Sequence, residues 1–324
     1  MTISSSSSTP DVSMFRKGVQ WLLRPGPHIT YLSFFLVTIF FILFAPNFAS
    51  WSTAGTIGRI TAVITIMAIG STFVIVCGEI DLSVGSHVSF AAMVGAMLLY
   101  SDMPGWIASP AILLLGAFIG AINGIIVTWL RIPSFLVTLG MLSVLRGLAL
   151  TFTGSLPVPI FNDSFIRILS GGSLLGIPVS IWWTLVAVVA GYYLLHRTVF
   201  GRRVFATGGN EVAAKFSGIK TNRVKIYAFI ISGVAASMAG LILASRSEAG
   251  NPMLGQGMEL DVIAAIIIGG TSLFGGRGNV LGSVAGAIFI GILGFGLIVM
   301  GLSTSIQEVV KGLIIIAAVS LNRR

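Results

Sequence analysis

Residues 57–77 read IGRITAVITIMAIGSTFVIVC, with Arg59 the one charge in the stretch. A helix rises 1.5 Å per residue, so about 20 apolar residues cross the hydrocarbon core of a bilayer. This run has that length and that poverty of charge, and it is not alone. Similar apolar runs cover 30–46, 86–100, 107–128, 134–153, 180–196, 225–246, 259–274, 280–300 and 306–321. Together they predict an all-α, polytopic membrane protein of about ten transmembrane helices. The runs at 86–100 and 259–274 are short or Gly-rich. Composition agrees: hydrophobic residues make up 55% of the 324 and charged residues 9%, whereas a soluble domain carries about a quarter charged residues. Mean hydropathy is +1.00.

The net charge of +9 raises the question of a nucleic-acid partner. The basic residues, however, sit between apolar runs, which is how orientation in a membrane is written. With the N-terminus in the cytoplasm, the inner segments hold Arg16, Lys17, Arg24, Arg131, Arg197, Arg202, Arg203, Lys215, Lys220, Arg223, Lys225, Arg277, Arg323 and Arg324. The outer ones hold Arg59, Arg167 and Arg246. This asymmetry predicts cytoplasmic N- and C-termini. Residues 1–29 read as a polar cytoplasmic tail. The run Tyr31–Ala45 reads as a retained first span, because Pro46-Asn47-Phe48 is a poor cleavage site.

Residues 30–321 then form a single transmembrane domain, with 322–324 as a short cytoplasmic end. Two loops are long: 154–179 outside, rich in Pro and Gly, and 197–224 inside, basic. Glu79-Ile80-Asp81-Leu82 before the third span is echoed by Glu259-Leu260-Asp261-Val262 at the eighth. Five-helix inverted repeats would place these at matching positions on opposite faces, as transporters often do.

Enzyme chemistry finds no support. The sequence has no G-x-x-x-x-G-K-[ST], and Gly275-Gly276-Arg277-Gly278 lacks the lysine and reads as a tight turn. His28, His87 and His196 are scattered, and the single Cys77 lies in an apolar run. No catalytic residue, cofactor or metal ligand is therefore assigned to this chain.

The inner loop carries the most informative pattern. Asn210 suits an N-cap and Glu211 the positive end of a helix, while Gly218 suits a terminator. Val212, Phe216 and Ile219 recur at helical spacing. A short capped helix with an apolar stripe predicts docking on a partner, or else packing on the chain's own bundle. Elsewhere, Asp81 and Ser83 suit a cap at the third span. Arg146 falls within the fifth span, where a charge must face the bundle or a wet pathway. Asn123 suits a bond between helices. Glu308 and Lys311, three apart on the tenth span, suit a local ion pair.

The stretch Glu211-Val212-Ala213-Ala214-Lys215-Phe216-Ser217-Gly218 resembles the coupling loop of ATP-binding-cassette importer permeases, Glu-x-Ala-Ala-x-x-x-Gly, where the ATPase docks. Three more stretches resemble the ribose/xylose/galactose-type branch of bacterial sugar permeases: Gly78–Ser86, Ile132–Gly140, and Glu259–Ala265 continuing through Gly269-Gly270-Thr271-Ser272 to Gly278. Glu79 departs from the Gly-Gly-Ile-Asp common in that branch.

The resemblance implies the membrane-spanning subunit of an importer for a small sugar or polyol in the bacterial inner membrane. It implies cytoplasmic ATPase subunits that hold ATP and Mg2+, an external sugar-binding protein, and a second permease copy. Residues 210–219 would couple to the ATPase, and Glu79, Asp81, Ser83, Asn123, Arg146, Glu259 and Asp261 are the candidate pathway or motif residues. The alternative is an ion-coupled secondary transporter that uses Glu79, Asp81, Glu259 or Asp261 as coupling carboxylates.

Overall fold

The protein is described by a computed structural model covering residues 27–321, so most of the polar tail and the last three residues lie outside the described residues. Its helices are α1 (Pro27–Phe44), α2 (Trp51–Val76), α3 (Val84–Tyr100), α4 (Gly105–Trp129), α5 (Ser134–Phe152), α6 (Asp163–Ile166), α7 (Val179–His196), α8 (Val199–Gly209), α9 (Glu211–Phe216), α10 (Thr221–Ser247), α11 (Met258–Ile268), α12 (Val280–Val299) and α13 (Thr304–Leu321). Among the described residues, α2, α4, α5, α7, α10 and α12 are long and apolar enough to cross a membrane. The apolar parts of α1 and α3 are shorter.

Helix α2 begins six residues before the expected start at 57, because Ser50 caps it by accepting from Thr53 N. Residues 61–76 of α2 are all buried, so this is the central helix. Its Ile66 and Met67 share a core with Val88, Ile242, Val262, Ile266 and Ile290 from α3, α10, α11 and α12. Helix α7 instead leaves Leu185, Val186, Val189 and Tyr193 exposed, as suits a face turned to lipid. Helices α4 and α10 approach until backbones touch. Cβ atoms at Gly116, Gly120 and Gly233 would each overlap backbone of the facing helix, the close contact that small residues at four-residue spacing permit.

Three expectations need correction. Residues 259–274 do not form one helix. Helix α11 stops at Ile268, where Gly270 takes φ +84°. Gly270 N donates to Ile267 O and Thr271 N to Ile266 O, the two bonds of a Schellman terminus. The loop at 154–179 also carries minor β structure: β1 (Val158–Pro159) pairs with β4 (Ala249–Gly250), which follows α10, and β2 (Ser173–Leu174) with β3 (Ile177–Pro178). Finally, the basic loop holds a second helix, α8, before the expected short one.

The feature that organises the site is a pair of interrupted crossings. Helix α10 runs from the basic end, at Thr221, to the opposite end, where Ser245 Oγ and Ser170 Oγ lie 2.8 Å apart. Asp81 meets Ser232 of α10, eleven residues along and so about 16 Å deep. Residues 78–83 therefore climb halfway through the bundle without helical structure, and α3 begins there. From the opposite end, residues 250–257 descend beside α3. Ser89 Oγ donates to Leu254 O, and a Cβ at Gly255 would come 2.5 Å from Gly85 O. Helix α11 starts at that depth and runs to the basic end, where Gly269 packs against Gly282. The N-termini of α3 and α11 thus meet in the middle of the bundle.

Candidate functional site

At the basic end, α9 is set by local chemistry. Asn210 is extended (φ −160°, ψ 101°) and its side chain accepts from Ala213 N at 3.0 Å. At the other end Gly218 takes φ +81°. Gly218 N donates to Lys215 O and Ile219 N to Ala214 O, both at 3.0 Å. The cap and the terminator expected from the sequence are both present. Ala214 faces inward and is buried, while Phe216 is 90% exposed and Val212 63%. The expected three-residue stripe is split: Ile219 packs against the core formed by Val204, Val224 and their neighbours. The exposed face is therefore Val212 and Phe216, which none of the described residues covers.

Glu211 opens α9 and gathers cations. Lys215 Nζ and Lys225 Nζ each lie 2.7 Å from its carboxylate, and Thr221 Oγ1 donates to it at 3.2 Å. Partial burial would raise its pKa. The hydrogen bonds from Lys215 and Lys225 outweigh that and hold it at about 2. Lys225 also contacts Glu79 at 2.7 Å, with both side chains largely buried. Sequence alone gave Glu79 no partner.

The two ends of the basic side are locked through glycine. Gly276 N donates to Val76 O at 2.9 Å. A Cβ at Gly208 would overlap that carbonyl, and one at Gly275 would come 2.8 Å from Gly78 Cα. The Gly275–Gly278 stretch is thus a turn whose backbone packs directly on the ends of α2 and α8.

Deeper in the bundle, Asp81 is buried. Its Oδ1 accepts from Ser83 N (3.0 Å) and Ser83 Oγ (2.6 Å), and its Oδ2 accepts from Ser232 Oγ (2.9 Å). Asn123 Nδ2 on α4 donates to Ser83 Oγ at 3.0 Å. Asn123 Oδ1 finds no partner among the described residues. The expected side-chain cap to α3 is not made by Ser83; its N–H and hydroxyl both donate to Asp81 instead. Asp81, Ser83 and Asn123 are therefore brought together as one buried network between the 78–83 segment, α4 and α10. Asp81→Asn keeps one carbonyl acceptor and faces a hydroxyl that can rotate to accept. It is expected to cost about 1 kcal/mol of stability and to leave transport intact, read by detergent melting and uptake. Lost uptake with unchanged melting would assign Asp81 a role that needs its charge.

The echoing pair behaves differently. The Glu259 carboxylate packs on Gly85 at the first turn of α3, where a Cβ would overlap it, and a negative group is favoured at that helix end. Asp261 is buried and bonds Lys311 Nζ at 2.7 Å. This corrects the expected local pairing of Lys311 with Glu308: Lys311 crosses to α11 instead. Arg146, half-buried on α5, forms no ion pair within 4 Å among the described residues. An apolar cleft of about 410 Å³ opens between α2, α7 and α12, beside Ile57, Ile181 and Ile288, and holds none of these charged residues.

Comparison with known proteins gives the context. A family model described as the branched-chain amino acid transport system/permease component matches residues 53–319. Ribose import permease protein RbsC of Haemophilus influenzae is 38% identical over 277 residues, covering 85% of this chain and 86% of that protein. The L-arabinose transport system permease protein AraH of Escherichia coli is 35% identical over 322 residues, covering 99% and 97%. No solved structure matches. The chain belongs to the family of branched-chain amino acid transport system permease components, and it is a transport subunit rather than an enzyme.

Proposed function

We propose that this chain is the membrane-spanning subunit of an ATP-binding-cassette importer for a small sugar or polyol in the bacterial inner membrane. Its fuel is ATP hydrolysed with Mg2+ on separate cytoplasmic ATPase subunits. The single observation that carries this reading is the capped helix α9, which presents Phe216 and Val212 outward from a basic loop. An apolar pair held rigidly and left uncovered fits a docking partner. The sugar class follows the ribose and L-arabinose permeases to which the chain is similar.

In this reading the chain crosses the membrane ten times, with both termini cytoplasmic, and the basic end of the bundle is the ATPase side. Two copies enclose the path, and an external binding protein delivers the sugar. The half-crossings of α3 and α11, which start at mid-depth and run to opposite ends, support an inverted-repeat origin and a pathway near Glu259 and Arg146. The ion-coupled alternative is weakened, because Glu79 and Asp261 are tied to Lys225 and Lys311.

Two measurements test the reading. In intact cells, a cysteine at Asp163 should react with an impermeant maleimide and one at Lys215 should not; labelling at Lys215 would invert the topology. Cells expressing the permease with its ATPase and binding protein should accumulate labelled D-ribose or L-arabinose. Uptake of leucine but of neither sugar would move the substrate class to amino acids.

A further inference from the structure

We propose that Lys225 is a strut that carries movement of α9 to the 78–83 segment, and through it to the mid-bundle start of α3. This inference rests on the reading of α9 as the ATPase-docking helix. Glu79, Lys225, Glu211 and Lys215 form one chain of alternating charge, each link 2.7 Å long. Its outer end, Lys215, lies on α9, and its inner end, Glu79, lies in the interrupted crossing. Lys225 and Glu79 are 12% and 13% exposed, so water screens that link poorly.

The segment beyond Glu79 is short and gripped on both sides. Ile80 N donates to Ser134 Oγ, and Leu82 N to Thr138 Oγ1, on α5. Asp81, two residues from Glu79, is bonded to Ser232 on α10. A pull on Glu79 has little slack to take up before it reaches Ser83 and the first turn of α3. There Gly85 is in contact with Glu259 and Gly255, at the start of the second interrupted crossing. Glu79 is a positioning residue in this scheme: it touches no substrate and acts through the segment that follows it.

The test places a reporter at the far end. Gln256 is exposed beside Gly255, and Cys77, the sole native thiol, is buried. In the assembled importer, with Cys77 replaced by Ser, maleimide labelling of Gln256→Cys is compared between the nucleotide-free and the vanadate-trapped states. The nucleotide-dependent change in labelling rate is expected to shrink about tenfold in Glu79→Gln, the upper part of the range seen for coupling networks. Glu79→Asp, which keeps the charge but retracts it by one methylene, should lose most of the change without disturbing the fold. ATPase pull-down is measured on every variant and should stay at the parental level, which separates transmission from docking. A parental labelling response in Glu79→Asp, with ATPase bound, overturns the strut and leaves the docking reading standing. Loss of ATPase binding in Glu79→Asp also overturns it, because Glu79 would then serve docking rather than transmission. Failure of the parent itself to hold the ATPase would instead refute the docking reading.

Discussion

Phe216→Asp is expected to abolish ATP-driven uptake while the permease still inserts, folds and melts as the parent does. The side chain is 90% exposed and makes no contact with the core, so its replacement by a charge removes nothing from the isolated subunit. In the assembled importer the same ring would sit in a pocket of the ATPase. Removing an aromatic anchor from such a pocket costs about 2 kcal/mol or more, roughly thirtyfold in affinity, and a buried carboxylate adds its own desolvation. Val212→Asp, on the same face, should act in the same direction and more weakly, since a smaller area is lost. The paired measurement is ATPase pull-down and detergent melting of the permease alone. Lowered melting with normal pull-down would mean that the face belongs to the chain's own fold. Normal uptake in Phe216→Asp would remove α9 from coupling altogether.

That prediction was legible in sequence because everything that shapes α9 lies within ten residues of it. Asn210 caps, Gly218 terminates, and both act through bonds to near neighbours. The long apolar helices were legible for a similar reason: their signal is a run of residue types with no need of a partner. The partners of charged residues were not. Glu79 finds Lys225 on α10, and Asp261 finds Lys311 on α13, and no local pattern encodes such distant pairs. The natural local guess, Lys311 with Glu308, failed because α11 offers a buried carboxylate that would otherwise stand alone in an apolar bundle.

The interrupted crossings were half-visible. The runs at 86–100 and 259–274 are short or Gly-rich, and Glu79-Ile80-Asp81-Leu82 is echoed by Glu259-Leu260-Asp261-Val262. What the sequence lacks is any sign that 78–83 and 250–257 complete the crossings as non-helical chain, because those residues are not unusually apolar. Helix α8 was hidden by Gly201, Gly208 and Gly209, which argue against a helix by propensity. At Gly201 and Gly208 the reason is packing: Cβ atoms there would overlap the backbone of Leu195 and of Val76.

That last contact supports the sharpest contrast available at the basic end. Gly208→Ala is expected to be severely destabilising, whereas Gly209→Ala, one residue on, should be close to neutral. At Gly208 the new methyl would lie inside the Val76 carbonyl oxygen and 2.8 Å from Gly276 N. These are the two partners of the bond that joins the end of α2 to the 269–279 loop. Both are backbone atoms, so no rotamer change relieves the overlap. Overpacking costs about 1–3 kcal/mol, and a buried N–H left without its acceptor costs about 1–3 kcal/mol more. At Gly209 the nearest atom, Gly276 Cα, would be 3.9 Å from the methyl, an ordinary contact. Both substitutions favour helix by the same intrinsic amount, about 1 kcal/mol, so their difference isolates the packing. Detergent melting of the two variants decides the matter. Gly208→Ala should lower the melting temperature or the yield of folded protein, and ATPase pull-down should fall with it, because α8 leads directly into α9. Equal melting of the two variants would mean that the ends of α2 and α8 are not held backbone to backbone, and that α9 is not anchored through this junction.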